Sequence, residues 1–252
     1  YSIAAENIHE VKPGEIIIIN NDGLHSYTLK PSAPLRLSHC IFELIYFARP
    51  DSELFGKSIY AFRKSLGERL AYTDDLKPDI VIPVPDSGTI AAIGYAQAKQ
   101  CNFELALTRN HYTGRSFILP TKNEREFAVR MKLHPISSII KNKKVVLIDD
   151  SLVRGTTSGI IVALMREAGA KEVHLRLSSP ELKWPCYYGI DIPTREELIS
   201  NRLSPEAIAH AIGADSVRFM SLEDLHTCAG HDACNYCTAC FSGQYPTKLP
   251  SK

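Results

Sequence analysis

Two adjacent carboxylates between an apolar run and a small, hydroxyl-rich turn are the densest chemistry in this chain. The segment reads Lys144-Val145-Val146-Leu147-Ile148-Asp149-Asp150-Ser151-Leu152-Val153-Arg154-Gly155-Thr156-Thr157. Ionised Asp149 and Asp150 only accept hydrogen bonds, which suits ribose hydroxyls or Mg²⁺. Arg154, Gly155, Thr156 and Thr157 can offer a phosphate backbone N–H groups, hydroxyls and the positive end of a helix dipole, and Gly155 lets the main chain come close. The combination describes a pocket for a phosphorylated sugar. Asp-Asp-Ser also suits a helix cap, and the cap and the pocket can coexist.

A second candidate lies upstream. Asp79-Ile80-Val81-Ile82-Pro83-Val84 is an apolar run that breaks at Pro85-Asp86-Ser87-Gly88, and Thr89 to Ala96 follow as a small-residue helix. A turn of Pro, Asp, Ser and Gly is common in loops without function, so by itself it carries little. Its weight comes from a second strand end that could face the first across a pocket.

Residues 108 to 135 are locally basic. They hold Arg109, Arg115, Lys122, Arg125, Arg130 and Lys132 against Glu124 and Glu126. Much of such a run is ordinary solvated surface, yet a long segment with few strand signals inside a compact domain is often a lid.

The cysteines form the other constellation. The run Cys228 to Cys240 contains overlapping Cys-x-x-Cys spacings, at Cys234, Cys237 and Cys240, suited to zinc or an iron–sulfur cluster, and spacing alone does not choose between them. His226 and His231 could complete a zinc site. Trp184 beside Cys186 reads as packing.

These groups need elements to position them. Val145 to Ile148 are apolar without alternation, as in a strand buried on both faces of a parallel sheet. Ligands of such sheets lie beyond the carboxyl ends of the strands. From about Leu35 strands and helices alternate, which predicts an α/β sheet. Ile59, Phe62, Leu66 and Leu70 recur at helical spacing in Ser58 to Tyr72 and read as plain core. Val11 to Asn20 followed by Asn21-Asp22-Gly23 predicts a strand and turn without nearby partners, marginal alone.

Composition excludes several classes. The 252 residues can bury one sizeable core, and 29 basic against 28 acidic side chains give no global field for a nucleic acid or a membrane. No apolar run reaches the roughly 20 residues of a membrane span, and the start has no signal-peptide pattern. Seven cysteines, crowded toward one end, fit a reducing, cytoplasmic setting better than a disulfide framework.

The run from Lys144 to Thr157 resembles the type I phosphoribosyltransferase signature, whose loop grips the 5′-phosphate of phosphoribosyl pyrophosphate (PRPP). Ile45 to Ser52, Gly114 to Ile118, Arg166 to Ala170 and Tyr188 to Asp191 are similar to the glutamine PRPP amidotransferases (amidophosphoribosyltransferases). This resemblance covers almost the whole chain. It implies a type I phosphoribosyltransferase fold, a parallel sheet flanked by helices, over 35–225. Residual strands of a class II glutaminase domain would precede it at 1–34, and a Cys-rich metal-binding tail would follow at 226–252. The glutaminase nucleophile is not among these residues, so the chain alone is not expected to hydrolyse glutamine.

The same resemblance implies roles. Pro85, Asp86, Ser87 and Gly88 become the pyrophosphate loop, with Ser87, Asp149 and Asp150 around Mg²⁺. Ser151, Arg154, Gly155, Thr156 and Thr157 hold the 5′-phosphate, and Asp149 and Asp150 orient the sugar. The basic segment becomes the loop that closes over PRPP through Arg109 and Arg115, although Arg109 stands where related enzymes often have lysine. In the cluster-bearing branch, Cys40, Cys186, Cys237 and Cys240 would ligate a structural 4Fe–4S cluster, leaving Cys101, Cys228 and Cys234 free, with Cys234 the main rival.

The implied reaction transfers ammonia, from glutamine in the complete enzyme, to C1 of PRPP. It gives 5-phosphoribosylamine and pyrophosphate, the committing step of purine synthesis. Purine nucleotides as feedback ligands and a homotetramer are further expectations of the resemblance. A PRPP-sensing regulator is the alternative, but it lacks a visible DNA-reading module. A phosphoribosyltransferase acting on a base would leave the cysteines unexplained.

Overall fold

The computed structural model describes residues 10–29, 37–110 and 129–249. Gly114 to Ile118, Arg115, Lys122, Arg125 and the proposed boundary at Leu35 lie outside the described residues.

In chain order the strands of the main sheet are β6 (Ile80–Pro83), β7 (Asn102–Phe103), β10 (Lys144–Asp149), β11 (Glu172–Leu177) and β12 (Ser216–Phe219). All pair in parallel, in the spatial order β12-β11-β10-β6-β7. The helices are α1 (Ile59–Tyr72), α2 (Thr89–Lys99), the single turn α3 (Ser137–Ile140), α4 (Thr156–Glu167), α5 (Pro205–Ile212), α6 (Leu222–Ala229) and the short α7 (Ala239–Ser242). The α/β expectation holds.

The strand order creates the site. From β6 the chain crosses through α2 to β7 on one side, whereas from β10 it crosses through α4 to β11 on the other. β6 and β10 are neighbours, in register from Ile80 against Val145 to Pro83 against Ile148. Their carboxyl ends therefore flank the switch point, where open parallel sheets leave a crevice for ligands.

β10 is buried on both faces, as its unbroken apolar run predicts. Val146 and Ile148 join the layer with α1, α2 and α6, and Val145 and Leu147 join the layer with α4 and α5. Ile59, Phe62, Leu66 and Leu70 are all buried. Ser58 caps α1 by accepting from the Ala61 N–H at 3.3 Å. The α1–α2 contact is backbone against backbone: a Cβ on Gly67 would stand 1.8 Å from the Ala91 carbonyl oxygen, and one on Gly94 2.1 Å from that of Lys64.

Four smaller pairings accompany this body among the described residues. β1 (Glu15–Asn20) and β2 (Gly23–Thr28) form an antiparallel hairpin with Ile16, Ile18, Ile19 and Leu24 exposed. β8 (Leu107–Arg109) pairs antiparallel with β9 (Leu133–Pro135), so the two ends of the basic segment lie side by side in a short strand pair that its sequence did not announce. β3 (His39–Cys40) pairs in parallel with β13 (Tyr236–Cys237). β4 (Glu53–Leu54) and β5 (Lys57–Ser58) form a minimal turn before α1. Among the described residues no helix is long and apolar enough to cross a membrane.

Candidate functional site

The loop after β6 lies directly on the end of β10. Val84 N–H donates to the Ile148 carbonyl at 2.8 Å, and Gly88 N–H closes the turn onto the Val84 carbonyl at 3.0 Å. Gly88 has no room for a side chain, since a Cβ there would stand 2.1 Å from the Ile148 oxygen. This packing sets the Pro85-Asp86-Ser87-Gly88 turn beside Asp149 and Asp150. The Pro85–Asp86 peptide is cis. Ser87 Oγ donates to Asp149 Oδ1 at 3.4 Å, Asp150 N–H donates to the same oxygen at 2.9 Å, and Ser151 Oγ donates to Asp150 Oδ2 at 2.6 Å.

The acids are placed under strain of charge. Burial, and then the neighbouring Asp150 carboxylate, push Asp149 well above the usual carboxylate range. Asp150 is only 7 % exposed. A carboxyl placed as Asp149 is favours its protonated form until a cation or hydroxyl donors arrive. Such a site is built to receive positive charge and hydrogen-bond donors.

Two further groups bear on the pair: Tyr46, within the Ile45 to Ser52 run but given no role there, and Arg63, which lies in no motif. The single π-helical turn Glu43–Phe47 brings Tyr46 to the site; burial raises its phenol pKa, the Asp150 and Asp149 charges raise it further, and Arg109 opposes them. Beneath that turn Arg63 is 4 % exposed and donates to the carbonyls of Leu44 and Ala48 at 2.9 and 2.7 Å. Burial lowers its pKa while the Asp150 charge supports its ionised form. Spacing in sequence could not find either, since both depend on a contact between separate elements.

The second loop turns at Gly155, whose φ of 78° is the left-handed region that favours glycine, and α4 begins at Thr156. A Cβ on Gly155 would stand 2.9 Å from Ile199 Cδ1, so Ile199 supports the turn from below. Ile199 N–H in turn donates to the Val153 carbonyl at 2.9 Å. The first helical N–H groups at Thr156 and Thr157 have no partners within the helix and lie at its positive end. Arg154 forms an ion pair with Glu197 at 2.6 Å, a partner absent from the sequence reading. Arg109 forms one with Asp86 at 2.7 Å, which links the β8–β9 pair to the pyrophosphate-loop candidate. Ser87, Asp86, Gly88, Arg109, Asp149, Asp150 and Ser151 thus meet at one edge, with Gly155, Thr156 and Thr157 on the adjoining turn. Arg115 lies outside the described residues.

The cysteines gather on the other side of α1. Parallel pairing sets Cys40 opposite Cys237, and Cys240 follows in α7. The Cys240 carbonyl accepts from Lys183 N–H at 3.0 Å and Trp184 N–H at 3.1 Å, which draws in the loop bearing Cys186. All four thiols line one cavity of about 740 Å³. Burial, then Phe42 and Glu43 N–H groups against it, and then the charges of Cys186 and Cys237 leave the Cys40 thiol raised; burial and the other three raise Cys240 strongly. Cys234 and His226 also border the cavity. Cys228 is elsewhere, with its thiol toward the Ser65 carbonyl at 3.7 Å. Trp184 packs as expected, with the Arg195 guanidinium 3.8 Å above its ring. Among the described residues no three Cys, His, Asp or Glu side chains are clustered tightly enough to hold a metal ion.

The sequence profile of the phosphoribosyl transferase domain family matches residues 57–178. Among curated relatives, the chloroplastic amidophosphoribosyltransferase of Glycine max is 50% identical over 246 residues, 98% of this chain and 43% of that protein. The amidophosphoribosyltransferase of Methanothermobacter thermautotrophicus is 46% identical over 249 residues, 99% of this chain and 52% of its own length. The chain thus spans about half the length of the curated relatives it matches. A glutamine PRPP amidotransferase from B. subtilis, solved with ADP and GMP, superposes with a TM-score of 0.85 at 47% identity, covering 96% of this chain and 53% of that one. The chain is accordingly homologous over nearly its whole length to the amidophosphoribosyltransferases, and its central body is a phosphoribosyl transferase domain.

Proposed function

We propose that the chain carries the phosphoribosyl-transfer step of an amidophosphoribosyltransferase, joining ammonia to C1 of PRPP with release of pyrophosphate. The observation that carries this reading is the meeting of two loops at the β6–β10 switch point, with Ser87 on Asp149 at 3.4 Å and the Gly155 turn beside them. The N–H groups at the start of α4 suit the 5′-phosphate, the acid pair suits the ribose hydroxyls, and the Pro85 to Gly88 turn suits the pyrophosphate.

Leaving of pyrophosphate builds positive charge at C1, which the negative charge of Asp149 and Asp150 would stabilise. No side chain is needed to deprotonate free ammonia. Water competes as a nucleophile, so the segment rising from β8 and β9 is the element we assign to cover the pocket.

Ser87, Asp149 and Asp150 supply hard oxygen donors, which fit Mg²⁺ shared with substrate phosphates better than a cation held by protein alone. Bound there, Mg²⁺ would neutralise charge on the departing group. For the cysteines we propose a 4Fe–4S cluster on Cys40, Cys186, Cys237 and Cys240. The donor set is all thiol and lines one cavity. Its contribution would be structural, tying the segment after α6 to the body. All seven cysteines are free where described, which supports a reducing, cytoplasmic setting.

Likeness to the B. subtilis protein supports purine nucleotides as further ligands, and we retain a homotetramer as part of the same proposal. The decisive experiment supplies the purified chain with PRPP, Mg²⁺ and ammonium at alkaline pH and measures pyrophosphate. Turnover that depends on both PRPP and ammonium is expected. Its absence in a folded chain that also fails to bind PRPP overturns the reading.

A further inference from the structure

Of the four thiols proposed as ligands, three sit on regular structure: Cys40 on β3, Cys237 on β13 and Cys240 on α7. Cys186 does not. It lies within 178–198, a stretch without helix or strand, so no ladder of backbone hydrogen bonds sets its position. Long irregular segments hold one shape only where other contacts fix them.

Those contacts come from the Cys240 carbonyl of α7, which holds Lys183 and Trp184 N–H, and from the segment that follows α7. Gly243 turns the chain with φ of 74°, and Trp184 fills the space where its side chain would be, with Cε2 2.5 Å from an ideal Cβ. The turn delivers Tyr245, whose hydroxyl donates to the Pro185 carbonyl at 2.8 Å, one residue before Cys186. The Tyr245 ring packs on Tyr187 and Tyr188 with centroids 5.2 and 6.3 Å away. Two residues on, Thr247 Oγ1 and the Tyr188 hydroxyl share a 2.8 Å hydrogen bond, and Thr247 N–H donates to that hydroxyl at 3.3 Å. Tyr188, Tyr245, Pro246 and Thr247 all line the cavity, and Tyr188, Pro246 and Thr247 are exposed.

We propose that Tyr245 is a positioning residue of the cysteine cavity, latching the segment after Cys240 to the loop bearing Cys186 and screening the four thiols from solvent. The proposal deepens the metal reading above and rests on it for the occupant. The latch itself belongs to the metal-free chain. Tyr245→Phe removes one hydrogen bond and keeps the ring, whereas Tyr245→Ala removes both.

The test follows alkylation of each cysteine by iodoacetamide in the metal-free full chain, using peptide mass spectrometry, with a parallel assay of iron release to a chelator from anaerobically loaded chain. Tyr245→Ala is expected to speed Cys186 alkylation by at least about tenfold and Tyr245→Phe by a few-fold. Cys101 and Cys228, away from the latch, report general loosening and are expected to keep their rates. Iron release is expected to follow the Cys186 order. Equal Cys186 rates in all three proteins overturn the latch, as does an equal rise at Cys101 and Cys228. If the native chain takes up no iron, the cluster reading fails while the alkylation order still decides the latch.

Discussion

Gly88 and Ile148 touch through backbone alone: the Gly88 α-carbon is so near the Ile148 carbonyl that an added Cβ would fall 2.1 Å from its oxygen. That contact joins the turn after β6 to the last buried residue before the acid pair. It converts two separate strand ends into one pocket. The relevant oxygen already accepts from Val84 N–H at 2.8 Å, so it cannot withdraw without breaking that bond.

Gly88→Ala therefore separates the turn from the acids. The methyl group meets backbone, which cannot rotate away as a side chain would. A loss of stability of about 1–3 kcal/mol is expected, with PRPP affinity falling by at least about tenfold. Thermal unfolding and calorimetric titration of PRPP with Mg²⁺ measure the two. Unchanged affinity would show that the turn does not contact the substrate.

Asp149 trades stability for binding. Without substrate or cation its carboxyl holds its proton to a higher pH than an ordinary carboxylate, through burial and then Asp150. In the unfolded chain the group ionises in the usual range, so folding loses stability as pH rises from that range through the raised value, and the penalty persists above it. Asp149→Asn removes the penalty and still offers an oxygen to Ser87 and Asp150 N–H. The variant is expected to melt higher than the native chain at neutral pH while turnover drops at least about 100-fold. A lower melting temperature would contradict the electrostatic account.

The sequence displayed β10 clearly, because an unbroken apolar run has few other uses than a strand covered on both faces. Gly155 was legible for a similar reason: its place between the acids and a helix calls for a tight turn. Tyr46 and Arg63 were hidden, since their importance arises from a guanidinium on α1 holding Leu44 and Ala48, 19 and 15 positions upstream. Arg154 was legible as a cation beside a phosphate site, but its pairing with Glu197, 43 residues on, required the tertiary fold. The β8–β9 pair escaped notice because three-residue strands flanked by charges carry almost no periodicity. The cysteine set shows the same limit. Nothing in local spacing links Cys40 to Cys237, whereas the β3–β13 ladder makes them neighbours.

Asp74 anchors the far end of α1. Its carboxylate accepts from the Tyr95 hydroxyl at 2.6 Å and from two nitrogens of Arg176, and Asp74 and Arg176 side chains are each 4 % exposed. Burial alone would raise its pKa; Arg176 and then Tyr95 outweigh it and hold Asp74 at about 2. A carboxylate lowered in this way stabilises the fold above the ordinary range, and the contribution vanishes as pH falls from about 4 to about 2. Its size is about 2 kcal/mol. Asp74→Asn leaves Arg176 buried without its counter-charge and is expected to cost roughly 3–5 kcal/mol at neutral pH. Urea unfolding of both proteins at pH values across that range checks the claim, and the difference between them is expected to shrink in acid.

Zinc and an iron–sulfur cluster would hold the thiolates of the cysteine cavity at different separations. A tetrahedral zinc site needs Zn–S bonds of about 2.3 Å, which draws four sulfurs to within roughly 4 Å of one another. A cluster places metal and sulfide between its thiolates and holds them farther apart. Cys40, Cys186, Cys237 and Cys240 all line a cavity of about 740 Å³, and an all-thiolate set is the one the proposed cluster takes. Anaerobically prepared chain is therefore expected to contain iron and acid-labile sulfide in equal amounts. Serine at any of these four positions is expected to lower both sharply, whereas Cys101→Ser and Cys228→Ser leave them unchanged. Zinc without sulfide, or iron lost on replacing Cys234 but kept on replacing Cys186, would assign the ligands differently, because Cys234 and His226 border the same space. Metal analysis across this series decides between the two arrangements without reference to turnover.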